Sequence, residues 1–221
     1  APPWWQRAPA AEMRVRGLLG YGLFCVGGAS VAFAGGRYGV GEWRQLEMRR
    51  AWAESEGKAI VALARREVDI HGTRPVPVAP GVPVARLLIP HINLDEIVVE
   101  GVEYASLNAG PGHLPGSAFP GEPGNSVISA HRDRHFSRLG LVQVGDTILT
   151  ESGARATRWV VLSKRVVDAD TPALFRTDEA TLTLTTCWPI RYFGPAPERL
   201  LLTARAIDDS KNHSFARTNS T

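Results

Sequence analysis

Cys187 stands in the run Thr181–Pro189, T-L-T-L-T-T-C-W-P, where Thr and Leu alternate at the two-residue period of a β-strand. A proline two residues beyond the cysteine cannot extend the ladder, so the run presents a thiol at a strand end. Lone cysteines are more often inert, buried small hydrophobes, and two further segments weigh against that reading here. Ser126-Val127-Ile128-Ser129-Ala130-His131-Arg132-Asp133 is an apolar strand-like run that ends on a histidine and turns polar at once, and Glu198-Arg199-Leu200-Leu201-Leu202-Thr203-Ala204 is a strand-like run with an arginine at its start. A rigid sheet can aim three such strand tips into one cleft. A thiol that attacks a carbonyl needs a partner to manage protons and a fixed donor for the oxyanion. His131 and Arg199 fit those roles. A free thiol titrates near about 8.5, and either cation beside Cys187 would favour its thiolate.

These three segments resemble sortases, the cysteine transpeptidases of bacterial surfaces, whose signature is TLxTC with an upstream His and a downstream Arg. The resemblance runs from about Ala85 to Ala206, and GPGHLPGSAFPGEPGNSVISAHRDRHFSRL followed by LTLTTCWP is most similar to the sortases of Gram-negative bacteria, class GN. It implies a mainly β fold, a closed barrel of about eight strands with short helices. It implies Cys187 as nucleophile, His131 as general acid/base and Arg199 as the oxyanion or substrate-clamping residue. The implied substrate is a protein with an LPxTG-like C-terminal sorting signal, cleaved within that motif and joined to an amine acceptor. Ala130 departs from the glycine that many relatives carry before the histidine; it is small enough that no loss of chemistry is expected.

Around these residues, Thr185 shares the face of Cys187 by strand alternation, whereas Thr186 points to the other face unless the strand end is bulged. Both are candidate substrate contacts, as is Trp188, which is either a wall of the cleft or a plug of the core. Asp168 and Asp170 border an expected substrate-covering loop, with Asp170 the candidate contact. Asp133 could orient His131, but the family pattern uses Arg rather than Asp, and a turn-capping role serves as well. Two other readings stay open: a thiol hydrolase that releases the same thioester to water, and a non-catalytic tethered barrel that binds a partner.

The formal net charge of +3 is unevenly placed. Residues 1–16 carry three Arg against one Glu, while residues 84–207 carry 12 cations against 13 carboxylates. The catalytic region therefore has no basic stripe, and no nucleic-acid partner is expected. With only Cys25 and Cys187 present, the second in an exported protein is the reactive-thiol case. His71, His91, His113 and His213 lack a Cys or carboxylate at ligand spacing, and His131 and His135, four apart, lack a third ligand, so neither a metal nor another cofactor is expected.

The elements that must position the site follow in order. Residues 1–16 read as a cytoplasmic tail. Gly17–Gly36 is twenty residues without a charge, flanked by arginines and carrying seven glycines, and reads as a single-pass signal-anchor in the inner membrane with the catalytic region outside. Ala32-Phe33-Ala34 offers a competing signal-peptidase site. Within residues 37–83, Glu42–Val68 has apolar residues at helical spacing and reads as one juxtamembrane helix or two stacked ones, a spacer that holds the barrel off the membrane, with the alternative that its apolar stripe packs on the barrel. Thr73–Pro83, TRPVPVAPGVP, reads as an extended linker. Residues 84–207 are the barrel, expected to fold and act alone, with strands at Ala85–Ile89, Glu96–Val99, Ser126–Ala130, Thr147–Glu151, Arg158–Val166, Ala180–Thr186 and Arg199–Ala206. Short helices are expected at Tyr104–Asn108 and Phe136–Leu139, and residues 208–221 as a loose tail.

Overall fold

Alternation along the threonine-rich strand decides what lies inside. Leu182 and Leu184 are fully buried with Ile128, Trp159, Leu200, Leu202 and Ala204 in the main core, which turns Thr183, Thr185 and Cys187 to the opposite, outer face. The computed structural model describes residues 10–54, 78–153, 155–192 and 194–207. Its elements are α1 (Ala10–Ala53), β1 (Pro83–Ile89), β2 (Leu94–Glu100), α2 (Tyr104–Ala109), β3 (Gly112–His113), β4 (Asn125–Ser129), β5 (Thr147–Ser152), β6 (Arg155–Asp168), β7 (Thr181–Trp188) and β8 (Glu198–Ile207). The strands close into a barrel in the order β1-β2-β3-β4-β7-β8-β6-β5. Pairing is antiparallel except for β2 with β3 and β4 with β7. Trp159, the largest side chain of that core, donates its indole N–H to Thr150 Oγ1 at 2.8 Å, so its polar edge is satisfied inside the barrel.

The seven expected strands all form, and the eighth is the two-residue β3, too short to show any period. The expected helix at Phe136–Leu139 is instead a series of turns that ends in a 3₁₀ turn over Leu139–Leu141. At Tyr104 the expected short helix forms as α2.

Contacts divide the chain between Trp43 and Arg44 into two compact units. In the first, Tyr21, Leu23, Phe24, Val26, Val31 and Phe33 are exposed along α1. No helix among the described residues is long and apolar enough to cross a membrane; seven glycines dilute the charge-free run. In the second unit, the end of α1 packs on the barrel, as the alternative reading of this segment has it. Trp52 is 2% exposed and packs with Ile97 and Met48, and Arg49 donates to the Asp95 carbonyl at 2.6 Å. Gln45 is buried, and its amide donates to the carbonyls of Ile97 (3.0 Å) and Ala109 (2.9 Å) while accepting from the Ile97 N–H (2.9 Å). β3 pairs with β2 only at Val99 and Glu100. One side chain of α1 thus completes the β2 ladder where β3 does not reach. Gly110 allows this approach, since a Cβ there would collide with the Gln45 amide. The tail segments 1–9 and 208–221, the second half of the expected juxtamembrane helix and residues 73–77 of the linker lie outside the described residues.

Candidate active site

Cys187 and Arg199 are direct cross-strand partners of β7 and β8, a relation that holds two side chains on one face a few ångströms apart at their bases. Cys187 is half-buried. Parallel pairing of β4 with β7 matches Ser129 to Thr185, and the Ala130 N–H continues it to the Thr185 carbonyl at 3.2 Å. His131 follows one residue beyond that bond, at the end of β4 that adjoins the Cys187 end of β7. The structure therefore brings the three sequence-derived residues to one end of three neighbouring strands.

Each is held by identifiable groups. Arg199 Nε donates to the Ala169 carbonyl at 2.6 Å, which ties the guanidinium to the start of the 169–180 loop and commits only one of its five N–H donors. His131 meets the ring of Tyr104, at the start of α2, edge-on with centroids 6.2 Å apart. Burial pushes the His131 imidazole below its ordinary value; the Asp133 charge opposes that shift, and His135 and Arg134 add to it. The shift favours the neutral ring, which can accept a proton. Arg134 in turn donates to Asn108 Oδ1 at 2.9 Å, so α2 grips the histidine turn at two points. His135 is buried and its Nδ1 lies 3.3 Å from Glu96 Oε2, which agrees with its reading as an anchor for the turn.

The candidate substrate contacts separate. Thr186 is buried and donates to the Ala130 carbonyl at 2.8 Å. Its hydroxyl is committed to joining the cysteine strand to the residue before His131, and this corrects its reading as a substrate contact. Thr185 is also buried, on the face of Cys187, with its Oγ1 unpartnered by protein. Trp188 is half-buried, packs against the core and lies over Gly140, so it is more plug than wall. Asp170 is exposed in the 169–180 loop, beside the Asp168 end of β6. Sequence reasoning missed Tyr104 and Arg132, because contacts made across the barrel leave no local pattern.

A thiol, an imidazole and a fixed guanidinium at one end of a closed eight-stranded barrel are the groups that acyl transfer through a cysteine nucleophile requires. The chain belongs to the sortase family: the Sortase domain model matches residues 87–207. It is similar to Sortase D of Bacillus subtilis (strain 168), with 32% identity over 123 residues that cover 55% of this chain and 62% of that protein. The chain thus spans less than two thirds of the curated relative's length. In fold it resembles a Clostridium perfringens Sortase D5 transpeptidase, at a TM-score of 0.59 and 23% identity over 77% of this chain and 99% of the other. Clostridium perfringens sortase C with the C-terminal cell wall sorting motif matches at a TM-score of 0.54 and 28% identity, over 59% of this chain and 74% of that one.

Proposed function

We propose that this chain is a cysteine transpeptidase that cleaves an LPxTG-like C-terminal sorting signal and transfers the acyl group to an amine. The observation that carries the reading is the cross-strand pairing of Cys187 with Arg199; the parallel β4–β7 register, which runs to Ser129 and Thr185, supports His131 as their neighbour. Neutral His131 takes the thiol proton as Sγ attacks the scissile carbonyl, and the Arg199 Nη groups stabilise the oxyanion. The C–N bond then breaks, the leaving amine takes the proton from His131, and a Cys187 thioester remains. An acceptor amine attacks the thioester, gives its proton to His131 and expels the thiolate. Thr185, beside Cys187 with an unpartnered hydroxyl, and Asp170, on the 169–180 loop, are positioned to meet the substrate.

On this reading the chain's place is the inner membrane, with the charge-free run Gly17–Gly36 as a single-pass anchor of modest hydrophobicity, below what a helix needs to stand out as a membrane span, and the barrel on the periplasmic side. Support comes from the charge-free run Gly17–Gly36, the arginines before it and the exposed apolar side chains from Tyr21 to Phe33. Placement in class GN is supported by the run from Gly110 to Leu139 together with the cysteine motif. Retention of the full chain in membranes washed with alkaline carbonate, and digestion of its barrel by protease added to spheroplasts of a Gram-negative host, test both points; a soluble form that begins at Gly35 would support signal-peptide cleavage instead.

The activity is tested by mass spectrometry of the protein incubated with a panel of LPxTG-like peptides, with and without an added amine. The expected result is an adduct on Cys187 and an amide product, both absent in Cys187→Ala. Cleavage that persists in that variant would overturn the nucleophile, and release of free acid alone in the presence of amine would make the protein a hydrolase.

A further inference from the structure

Three backbone carbonyls converge on the side chain that follows the proposed acid/base. Arg132 Nη1 donates to the Pro189 carbonyl at 3.2 Å, and Nη2 donates to the carbonyls of Tyr192 at 2.9 Å and Gly194 at 2.8 Å. The guanidinium carbon also lies 5.6 Å from the centre of the Tyr192 ring, within cation–π range. All three carbonyls belong to the connection between β7 and β8, which carries Cys187 two residues before Pro189 and Arg199 five residues after Gly194. Carbonyl oxygens gathered this closely repel one another unless a cation with several donors lies between them. A guanidinium supplies five N–H donors in a rigid plane, whereas an ammonium is a compact point charge.

We propose that Arg132 is a positioning residue that sets the mutual geometry of Cys187, His131 and Arg199. It does so through the chain: its own backbone carries His131, and its side chain holds the connection whose two ends carry the other two. β7 and β8 fix the bases of Cys187 and Arg199 by register, but the last residues of each strand are free to splay unless the connection beyond them is tied. Arg132 ties that connection to the histidine turn rather than to the core, so the three tips move as one. Misplacement of reacting groups by about 1 Å costs on the order of 10²-fold in rate, which sets the size of effect to expect. This inference rests on the site reading above.

The test compares Arg132→Ala and Arg132→Lys in the full chain carrying Cys25→Ser, so that Cys187 is the one thiol present. Three quantities are read: kcat and KM for peptide cleavage with amine supplied, the pH dependence of Cys187 alkylation by iodoacetamide, and Tm. Arg132→Ala is expected to lower kcat by about 10²-fold, leave KM within about threefold, and change the alkylation profile of Cys187. Arg132→Lys should fall between alanine and the parent, nearer alanine, because one ammonium cannot span three carbonyls. Unchanged kcat and an unchanged alkylation profile would overturn the proposal. A raised KM at intact kcat would make Arg132 a direct substrate contact, and lost activity that tracks a lower Tm with an unchanged alkylation profile would make it support for the fold alone; both overturn it. Cleavage that survives Cys187→Ala would sink the site reading itself, a result separate from any of these.

Discussion

Gln45→Ala removes a side chain that stands in for a missing stretch of strand, and its cost can be worked from the contacts. The Ile97 N–H and C=O and the Ala109 C=O lose their partner together, in a region where Ile97 is fully buried and Gln45 itself is 1% exposed. Each buried group left unpaired costs about 1–3 kcal/mol. Water that enters the space vacated by the amide would satisfy some of them, so a total of about 3 kcal/mol is expected. For a domain of this size each kcal/mol moves Tm by about 2–4 °C, which gives a fall of roughly 6–12 °C. Differential scanning calorimetry on the full chain and on Gln45→Ala reads the shift directly. Gln45→Glu should be no better than alanine, because a carboxylate would face the Ile97 and Ala109 carbonyls with no proton to give. A Tm within about 2 °C of the parent for Gln45→Ala, well under the range just derived, would refute the argument. The end of α1 would then rest on the barrel without supporting it, and residues 84–207 would be as autonomous as the proline-rich stretch before them suggests.

Arg199→Lys keeps the charge but loses the planar fork and the Nε bond to Ala169, and should lower turnover by about 10²-fold; equal turnover would show that charge alone suffices. Burial holds His131 below the ordinary histidine value of about 6.5, so the acid limb of kcat/KM is expected below that pH, and Asp133→Asn, which removes the opposing charge, should move the limb lower still. By the same shift the folded protein binds fewer protons at His131 than the unfolded chain, so this group's contribution to stability is present above about pH 6.5 and is lost as pH falls below it. An acid limb at or above the ordinary value would contradict the burial of the ring. Thr186→Val preserves the β-branched shape but strips the Ala130 carbonyl of its hydroxyl donor; a loss of about 1–3 kcal/mol in stability is expected, read by urea denaturation, and no change would show that the bond is dispensable.

The three residues proposed for catalysis were legible because a strand end is a local event. Alternation followed by Pro, by a polar turn or by an arginine marks it within ten residues. What the sequence could not supply is register: that Cys187 faces Arg199 rather than Glu198 or Leu200 depends on how two strands slide, and a one-residue slip would turn Cys187 to the other face relative to its partner. The same limit hid the histidine partners. His91 meets Asp146, His113 meets Glu100 and His135 meets Glu96, each a pair drawn from separate elements, although none of these carboxylates stands at a recognisable spacing from its histidine. β3 has two residues and so no period, and the turns at Phe136–Leu141 share their apolar spacing with a helix of one turn. In each case the missing information is tertiary.

The position of α2 shows why the N-terminal segment cannot be assigned to location alone. At its C-terminal end, the Ala109 carbonyl accepts from Gln45 of α1. At its first residue, Tyr104 meets the ring of His131, and Asn108 accepts from Arg134 in the histidine turn. α2 has six residues, too few to be stable on its own, so its place is set by what grips it. One grip belongs to α1, one to β2, where the buried Ser106 hydroxyl donates to the Glu100 carbonyl at 2.9 Å, and the others to the turn that carries His131. Loosening the first leaves α2 held by its middle and by the turn it braces, and Tyr104 keeps its edge against the imidazole less firmly. Burial of that ring is the first cause of its lowered pKa. A change on α1 thus has a physical route to the protonation of His131 that passes through packing alone, with no contact between α1 and the reacting groups. The segment proposed as the anchor thus has a packing route to the residue proposed as the base.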